Sequence, residues 1–541
     1  MKRFLPLILL LFLFIQLISF SADDSSRERV YRKISNANNL YTDFLQNINR
    51  NYAVKVDPEL LTFYLLQEGL KILDPYSFIY KVDDDKYTDN IYLKDFYGYG
   101  FNYDTLDKKL YILDLIQNSA ARKSGIKIGD IIKSVNGYKV EDVNYNLASL
   151  LDTAKSKQVK LEIYRECADS TFTITLEKQK VPPSPILFTP IPNTNYYYLS
   201  FTTFFENAAE EIKYKLQSAK LTEKNTLIID LRGNPGGLMG EAINLLNLFI
   251  SDTNTVCSVI GQKDEVLDTY NLPNPAPFKD VPVVIIINNN SASSSEIFAA
   301  IMQEYDRATI VGEQSLGKGL VQNTFDLRND YELRLTTGRY LTSNGRWLQH
   351  FNFAEKFYKD DYDSTKVFYS KSGRILHSKK GVEPDIEIPD DNFSPLIQDL
   401  INSKAFFYYI NEINCNLNKD KPKAKFTVDF AGFLKFLDIH KFYEETTLYK
   451  KMQSYLNYKE NYNSVSNKNK NDVLPSKINN EITQFIQNEL IKDKEEIEQL
   501  IQINSIQRIS TKEEFAKIYY DIDKVIQKTI DLIKQNKTKI R

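Results

Sequence analysis

The stretch that decides the fold is TLIIDLRGNPGG, residues 226–237. Its first five residues form a short apolar run, and the turn that follows is rich in glycine, which is typical of a buried strand that ends in a loop. A second apolar run, VPVVIII at 281–287, is followed by a polar turn and a helical pattern from Ser293 to Tyr305. Strands that alternate with helices in this way predict an α/β domain.

The regions on either side of this core have a different character. Residues 94–180 contain short β-rich runs separated by turns, and the prolines at 182, 183 and 185 mark a linker to the α/β domain. Residues 22–93 and 391–541 have apolar positions at helical spacing, with a polar linker near 457–477. We therefore predict a helical N-terminal region (22–93), a β-rich domain (94–180), an α/β domain (181–390) and a helical C-terminal extension (391–541).

The first 21 residues have the order of a secretory signal peptide. Lys2 and Arg3 precede an apolar run that ends at Phe20, and Ser19 and Ser21 would allow cleavage after Ser21. The alternative is an uncleaved N-terminal anchor, although the run is slightly short for a membrane span. Either reading predicts an exported protein of the bacterial periplasm or cell envelope, which contacts the membrane only if the leader is retained.

Composition excludes several classes of function. The formal net charge is −2, without the strong basic bias of nucleic-acid-binding proteins. The three cysteines are scattered and form no CxxC pair, and the three histidines form no HExxH motif, so we expect neither a disulfide scaffold nor a zinc site. No cofactor is expected.

Three polar segments follow buried strands or β-rich runs of the α/β domain: residues 230–237, 290–296 and 312–322. Such segments are where α/β sheets place their sites. A serine that begins a helix presents its hydroxyl beside unpaired backbone N–H groups, which can hold an oxyanion. Taken alone, a serine run is more often a helix cap, and a lysine between glycines is more often solvated.

Together the segments resemble the C-terminal processing (tail-specific) peptidases, which are serine peptidases with a PDZ domain and a Ser/Lys dyad. The resemblance extends over residues 30–390, and SASSSE at 291–296 and GKG at 317–319 carry it most specifically. It implies a ClpP/crotonase-like α/β core in which Ser293 is the nucleophile and Lys318, at the family's spacing, is the general base. Gln322, four residues after the lysine, would orient Lys318.

The resemblance also implies a chemistry. A lysine accepts a proton near neutral pH only if its pKa lies well below the usual value of about 10.4, and burial without a carboxylate partner has this effect. Backbone N–H groups of Ser294 and of Gly236 or Gly237 would stabilise the tetrahedral oxyanion. The sequence departs from the family at Tyr76, where a histidine is common, and at Glu304, where many relatives have aspartate.

The β-rich domain stands where the family has its PDZ domain. Gly98, Tyr99, Gly100 and Phe101 would form its carboxylate-binding loop, which predicts polypeptide substrates with exposed C-termini. The C-terminal helices are compatible with a homodimer and equally with packing inside the chain.

Two other readings compete with a Ser/Lys endopeptidase. A Ser-His-Asp triad lacks a histidine before position 350. The other is a catalytically dead, PDZ-containing scaffold that binds peptides. Retention of the serine, the lysine, the glutamine and the glycine loop together argues against a dead domain.

Overall fold

The computed structural model describes residues 5–81, 96–106, 109–116, 119–140, 157–181, 186–350, 365–378, 380–389, 393–414, 428–464, 474–509, 515 and 519–535. Among these, residues 5–81 and 322–336 form one compact unit, and the others form a second unit. The predicted linker prolines at 182, 183 and 185 lie outside the described residues.

The N-terminal segment of the first unit contains, among its described residues, the helices α1 (Leu5–Asn51) and α2 (Pro58–Leu70) and the strand β1 (Phe78–Lys81). The carboxylate of Asp57 caps α2 by accepting the N–H groups of Glu59 and Leu60, and Pro58 stands at the first helical position. Helix α1 runs through the predicted cleavage point, so cleavage there stays a prediction. In the part of the chain that was searched, no helix is long and apolar enough to cross a membrane.

The β-rich domain of the second unit is built on an antiparallel sheet. Its core is formed by alternating apolar residues such as Leu161 and Ile163, which are fully buried. The strands lie in the order β3-β4-β5-β7-β8, with β6 beside β5 and β2 paired with β9. The elements are β2 (Phe96–Gly98), β3 (Phe101–Leu106), β4 (Lys109–Leu115), α3 (Ala120–Lys123), β5 (Ile131–Val135), β6 (Tyr138–Lys139), β7 (Gln158–Arg165), β8 (Ser170–Glu177) and β9 (Gln179–Val181).

The α/β domain confirms the predicted fold class. Its main sheet has the order β10-β11-β12-β15-β16-β21, in which β10 is antiparallel and the other strands are parallel. The elements up to its nucleophile helix are β10 (Leu187–Pro190), β11 (Tyr196–Ser200), α4 (Ala208–Ser218), β12 (Thr226–Asp230), α5 (Met239–Leu246), β13 (Asp252–Ile260), β14 (Val266–Leu272), β15 (Val283–Ile287) and α6 (Ser294–Glu304). They continue with β16 (Ala308–Gly312), β17 (Leu320–Asp326), β18 (Tyr331–Thr342), β19 (Phe368–Tyr369), β20 (Ile375–Leu376) and β21 (Ile386–Glu387).

Strand β18 takes part in both units. Its first residues, Tyr331 to Arg334, pair with β1 in the first unit, and residues 339–342 pair with β13 in the second. The hairpin of β13 and β14 was not predicted, because the first four residues of β13 are polar, most of β14 is exposed, and neither strand has a continuous apolar run.

The C-terminal extension is helical and belongs to the second unit. Its helices are α7 (Pro395–Asn402), α8 (Ala405–Asn414), α9 (Phe430–Ile439), α10 (Phe442–Glu445), α11 (Thr447–Ser464), α12 (Leu474–Lys492), α13 (Lys494–Ile509) and α14 (Lys524–Lys534). Most of them share one apolar core, to which Leu400, Phe433 and Ile497 contribute, so they pack within the chain. The polar linker predicted near 457–477 stays a prediction; α11 extends to Ser464 within it, and α12 begins at Leu474. A helix that is already nucleated propagates through polar residues.

The main sheet is covered on both faces. Leu227 and Ile229 of β12 point into the large core that contains α4, α5 and α6. Ile228, between them, points to the opposite face, where Ile526 and Ile530 of α14 pack. The last helix of the chain therefore completes the core of the α/β domain.

Candidate active site

The three polar segments meet at one edge of the main sheet. Asp230, Ile287 and Gly312 are the last residues of the parallel strands β12, β15 and β16. Since neighbouring parallel strands end at the same edge, the loops that follow them lie together, as is usual for sites in α/β sheets. Two contacts join the first two loops: the N–H of Ala292 donates to the carbonyl of Asn234 at 3.1 Å, and that of Gly233 to the side chain of Asn288 at 3.1 Å.

Ser293 occupies a strained position at the start of α6. Its backbone has φ 55° and ψ −115°, a conformation that non-glycine residues avoid and that costs of the order of 1–3 kcal/mol. Helix α6 holds Ser293 in this strained conformation, because every residue of the helix is buried and fixed by packing. Strain held by a rigid element at the edge of a sheet is typical of a functional residue.

The serines around Ser293 are engaged with the glycine loop. The hydroxyl of Ser291 donates to the carbonyl of Leu231 at 2.8 Å, that of Ser294 to Gly237 at 2.8 Å, and that of Ser295 to Asn234 at 2.9 Å. Each of these three serines is buried, whereas Ser293 is half-buried. Within the described residues, the Ser293 hydroxyl donates to no carbonyl of the glycine loop. Ser293 therefore differs from the other three serines, because it is more exposed and its hydroxyl does not bond the glycine loop.

Glu296 connects the serine turn to the lysine loop. Its Oε2 accepts the backbone N–H of Ser293 and that of Lys318, each at 2.8 Å, so the two nitrogens are within twice that distance of each other. Its Oε1 accepts the Ser315 hydroxyl at 2.6 Å and the N–H of Gly317 at 2.7 Å. Glu296 is only 1% exposed, and this burial raises the pKa of its carboxyl although the four hydrogen bonds act to lower it.

Glu296 was missed as a functional residue by the sequence analysis. It was recognised only as part of the serine motif, where a glutamate three residues after a helix cap is typical of a capping box. That local role is present, since the carboxylate accepts the N–H of Ser293. Its bonds to residues 315–318 depend on the tertiary fold, and no local signal in the sequence indicates them.

The lysine loop is held from both sides. Opposite Glu296, the Tyr340 hydroxyl donates to the carbonyl of Lys318 at 2.8 Å, and the indole of Trp347 donates to the carbonyl of Gly319 at 3.0 Å. Side chains at the flanking positions would not fit, because a Cβ on Gly319 would come within 2.6 Å of the Trp347 indole nitrogen. Lys318 is half-buried in this loop.

The fold brings the main chain of a histidine to the lysine loop. The N–H of His350 donates to the carbonyl of Gly317 at 2.9 Å. Its position after residue 346 in the sequence was the reason for excluding a histidine-based triad. The main chain of a histidine that follows the loop in the sequence thus lies beside it in the fold, and His350→Ala tests a histidine-based triad directly.

The oxyanion candidates are placed differently from one another. The N–H of Gly236 donates to the side-chain oxygen of Asn234 at 2.9 Å, so this conformation does not offer that N–H to a substrate. Gly237 has φ 141°, and a Cβ there would meet the Phe204 carbonyl oxygen at 2.3 Å. Ser294 is the first residue of α6, where helix N–H groups have no partner inside the helix. The arrangement favours Gly237 and Ser294 over Gly236 as donors.

Gln322 lies on β17, among the residues of the first unit. Its side-chain amide donates to the hydroxyl of Thr336 on β18 at 3.3 Å. Its assignment as the residue that orients Lys318 stays a prediction. Glu304 has a structural environment instead, because it is buried beside Arg346 at 3.4 Å and accepts the Ser343 hydroxyl at 2.9 Å.

The loop of the β-rich domain is folded tightly. Gly100 has φ 86°, and its carbonyl accepts the N–H of Ile116 at 2.9 Å and the hydroxyl of Ser119 at 3.0 Å. A Cβ on Gly100 would lie 2.0 Å from the Cβ of Ser119. Glycine is thus required here by packing as well as by any approach of a substrate. Gly98 pairs with Gln179 in β2 and β9, the Tyr99 ring is buried in the core, and Phe101 packs against that core.

Two family models and several known proteins are similar to parts of this chain. The model of peptidase family S41 matches residues 195–354, and a PDZ domain model matches residues 98–176. The carboxy-terminal processing protease CtpA of Bacillus subtilis (strain 168) is 30% identical over 308 residues, which are 56% of this chain and 65% of that relative. CtpB of the same organism is 29% identical over 333 residues, 60% of this chain and 67% of the relative. The solved structure of a photosystem II D1 C-terminal processing protease has 22% identity and a TM-score of 0.34, and covers 65% of this chain and 92% of its own.

Proposed function

Because residues 195–354 form a peptidase family S41 domain and residues 98–176 a PDZ domain, we propose that this protein is a serine endopeptidase that cleaves polypeptides at or near their C-termini. The observation that carries the proposal is the shared carboxylate oxygen of Glu296, which holds the N–H groups of Ser293 and Lys318. A serine at a strained helix start and a lysine in the adjoining loop are the parts of a Ser/Lys dyad. The relatives named for carboxy-terminal processing support the choice of substrate end.

The reaction proceeds through an acyl-enzyme. Neutral Lys318 takes the hydroxyl proton of Ser293 as the oxygen attacks the peptide carbonyl. The N–H groups of Ser294 and Gly237 stabilise the oxyanion of the tetrahedral intermediate. Protonated Lys318 then gives its proton to the leaving amine, and water, activated by the same lysine, releases the acyl group and restores the serine. Gln322 has the role that the resemblance implies, which is to orient the lysine.

The proposal is tested by incubating the full chain with tagged polypeptides and mapping the cut sites by mass spectrometry. An active peptidase gives fragments that a Ser293→Ala variant does not give, and an active-site-directed phosphonate labels the Ser293 peptide. Binding of peptides without cleavage or labelling would favour the dead scaffold instead.

The PDZ domain would select substrates by their C-terminal carboxylate. A neutral amide at the C-terminus removes the charge that the loop at residues 98–101 would hold, so an amidated substrate should be cut more slowly than the free acid. Gly100→Leu is a poor probe of this loop, because the new side chain would collide with Ser119 and disturb the domain itself. Equal rates for the two substrates would show that this loop does not select them.

We further propose export to the bacterial periplasm or cell envelope, on the strength of the leader-like order of residues 1–21. Sequencing the mature N-terminus distinguishes cleavage after Ser21 from a retained anchor. No nucleic-acid partner is expected at this net charge. Homodimerisation stays a proposal, and light scattering of the purified protein measures it.

A further inference from the structure

The last helix of the chain lies outside the residues that the S41 model matches, yet it belongs to the core of the α/β domain. Val525, Ile526 and Ile530 of α14 are buried against the sheet face formed by Ile228, Val284, Ile286 and their neighbours. The helix is polar on its other side, as an amphipathic cover should be. Its N-terminus is thereby fixed near the carboxyl end of β12, where the glycine loop begins.

The residue that caps this helix also reaches the glycine loop. Oδ1 of Asp523 accepts the N–H of Ile526 at 2.8 Å, while its Oδ2 accepts the Arg232 guanidinium at 2.9 Å. Arg232 also bonds Asp230, the last residue of β12, at 2.7 Å. The three charged side chains are at most 10% exposed, so water screens this arrangement little.

The contacts continue from Arg232 to the nucleophile turn. The backbone N–H of Arg232 donates to Asp230, which fixes the first turn of the loop. Two residues later, the carbonyl of Asn234 accepts the N–H of Ala292, directly before Ser293, and the hydroxyl of Ser295, two residues after it. The loop that carries Arg232 is thus also the loop on which the serine turn rests.

We propose that Asp523 is a positioning residue for the peptidase site, which acts by holding Arg232 and with it the start of the glycine loop. This inference rests on the proposed function. It gives the C-terminal extension a defined part in catalysis. The fold would retain most of its stability without the Asp523 charge, because Arg232 keeps Asp230. Arg232 would nevertheless lose the charged partner that joins the start of the glycine loop to α14.

The test is Asp523→Asn in the full chain. Asparagine is as good a helix cap as aspartate, so the cap bond to Ile526 can persist while the charged partner of Arg232 is lost. We expect kcat to fall about tenfold with KM within about twofold, since small displacements of catalytic groups act on turnover. The matched control is Asp429→Asn, which caps α9 by accepting the Gly432 N–H and has no contact with the loop. Its turnover should equal that of the wild type.

A double variant tests whether Asp523 acts through Arg232. If it does, Asp523→Asn should cost little more once Arg232→Lys has already loosened the loop, so the two losses in kcat will not multiply. Multiplied losses, an equal fall in the Asp429 control, or unchanged kcat in Asp523→Asn would each overturn the inference. A wild type that cuts no peptide would instead refute the proposed function.

Discussion

The serine turn and helix α2 differ in how far their side chains are buried. At the serine turn, Ser291, Ser294, Ser295 and Glu296 are buried, and their polar atoms bond defined backbone groups. In α2 no residue is buried, although much of the helix is apolar. Buried polar groups require partners, so the serine turn has one accessible arrangement, whereas α2 keeps several apolar side chains exposed. Precise chemistry is expected of the first region and association of the second.

The largest effect should come from the dyad. Ser293→Ala and Lys318→Ala are each expected to lower kcat/KM by about 10⁴-fold or more, because either change removes a group that bonds or transfers the proton. The thermal unfolding temperature of each variant should remain close to that of the wild type. Peptide turnover and calorimetry on the same samples measure both.

The dyad prediction has three controls. Ser291→Ala and Ser294→Ala remove hydroxyls that bond the glycine loop, so they should lower stability by about 1–3 kcal/mol while turnover persists. His350→Ala should retain turnover. An inactive His350→Ala, or an active Ser293→Ala, would show that the assignment of the nucleophile or base is wrong.

Glu296→Gln should have the next largest effect. An amide keeps the shape but turns an N–H₂ group toward backbone donors, so we expect kcat to fall by about 10²-fold. Glu296→Ala should in addition lose roughly 3–5 kcal/mol of stability, because four donors are left unpaired in a cavity.

The pH dependence of Glu296 has a sign that can be checked. Since burial raises the pKa of its carboxyl, the ionised form costs folding free energy at neutral pH, and this cost disappears as the pH falls through that raised pKa. On acidification the wild type should therefore gain stability relative to Glu296→Gln while it loses turnover. If stability relative to the glutamine variant falls instead, the four hydrogen bonds dominate over burial.

Gln322→Ala should have an intermediate effect. If the amide orients the lysine, kcat should fall by about tenfold with little change in KM, since substrate does not contact it. The amide also bonds Thr336, so Thr336→Val serves as the control for that contact alone. A Gln322→Ala variant with full turnover would remove this residue from the site.

Substitutions in α2 should have the smallest effect on the stability of the isolated chain. Leu60, Leu65 and Leu66 are each more than a third exposed, so replacing all three with glutamine should change the stability of an isolated chain by less than about 0.5 kcal/mol per site. If α2 is an association surface, light scattering should show a smaller particle than the wild type gives. A fall in stability at constant molar mass would mean that α2 is covered within the chain.

The sequence by itself predicted the alternating strands and helices of the α/β domain and the candidate reactive residues. The apolar runs at β12 and β15 and the helical pattern after Ser293 predict the observed elements to within a few residues. These signals are local, because burial of a whole strand and the start of a helix are encoded in adjacent residues. The serine motif at residues 291–296 is also a local signal. It singles out Ser293 among its neighbouring serines only through the resemblance to the C-terminal processing peptidases.

The tertiary structure decided what surrounds those residues. It placed the hydroxyls of the other serines on the glycine loop, joined Ser293 to Lys318 through Glu296, and brought Asp523 to Arg232 from the far end of the chain. Hydrogen bonds of this kind join groups that are far apart in sequence and leave no periodic pattern in it. They form because a buried polar group must find a partner, and only the packed fold determines which partner lies within reach.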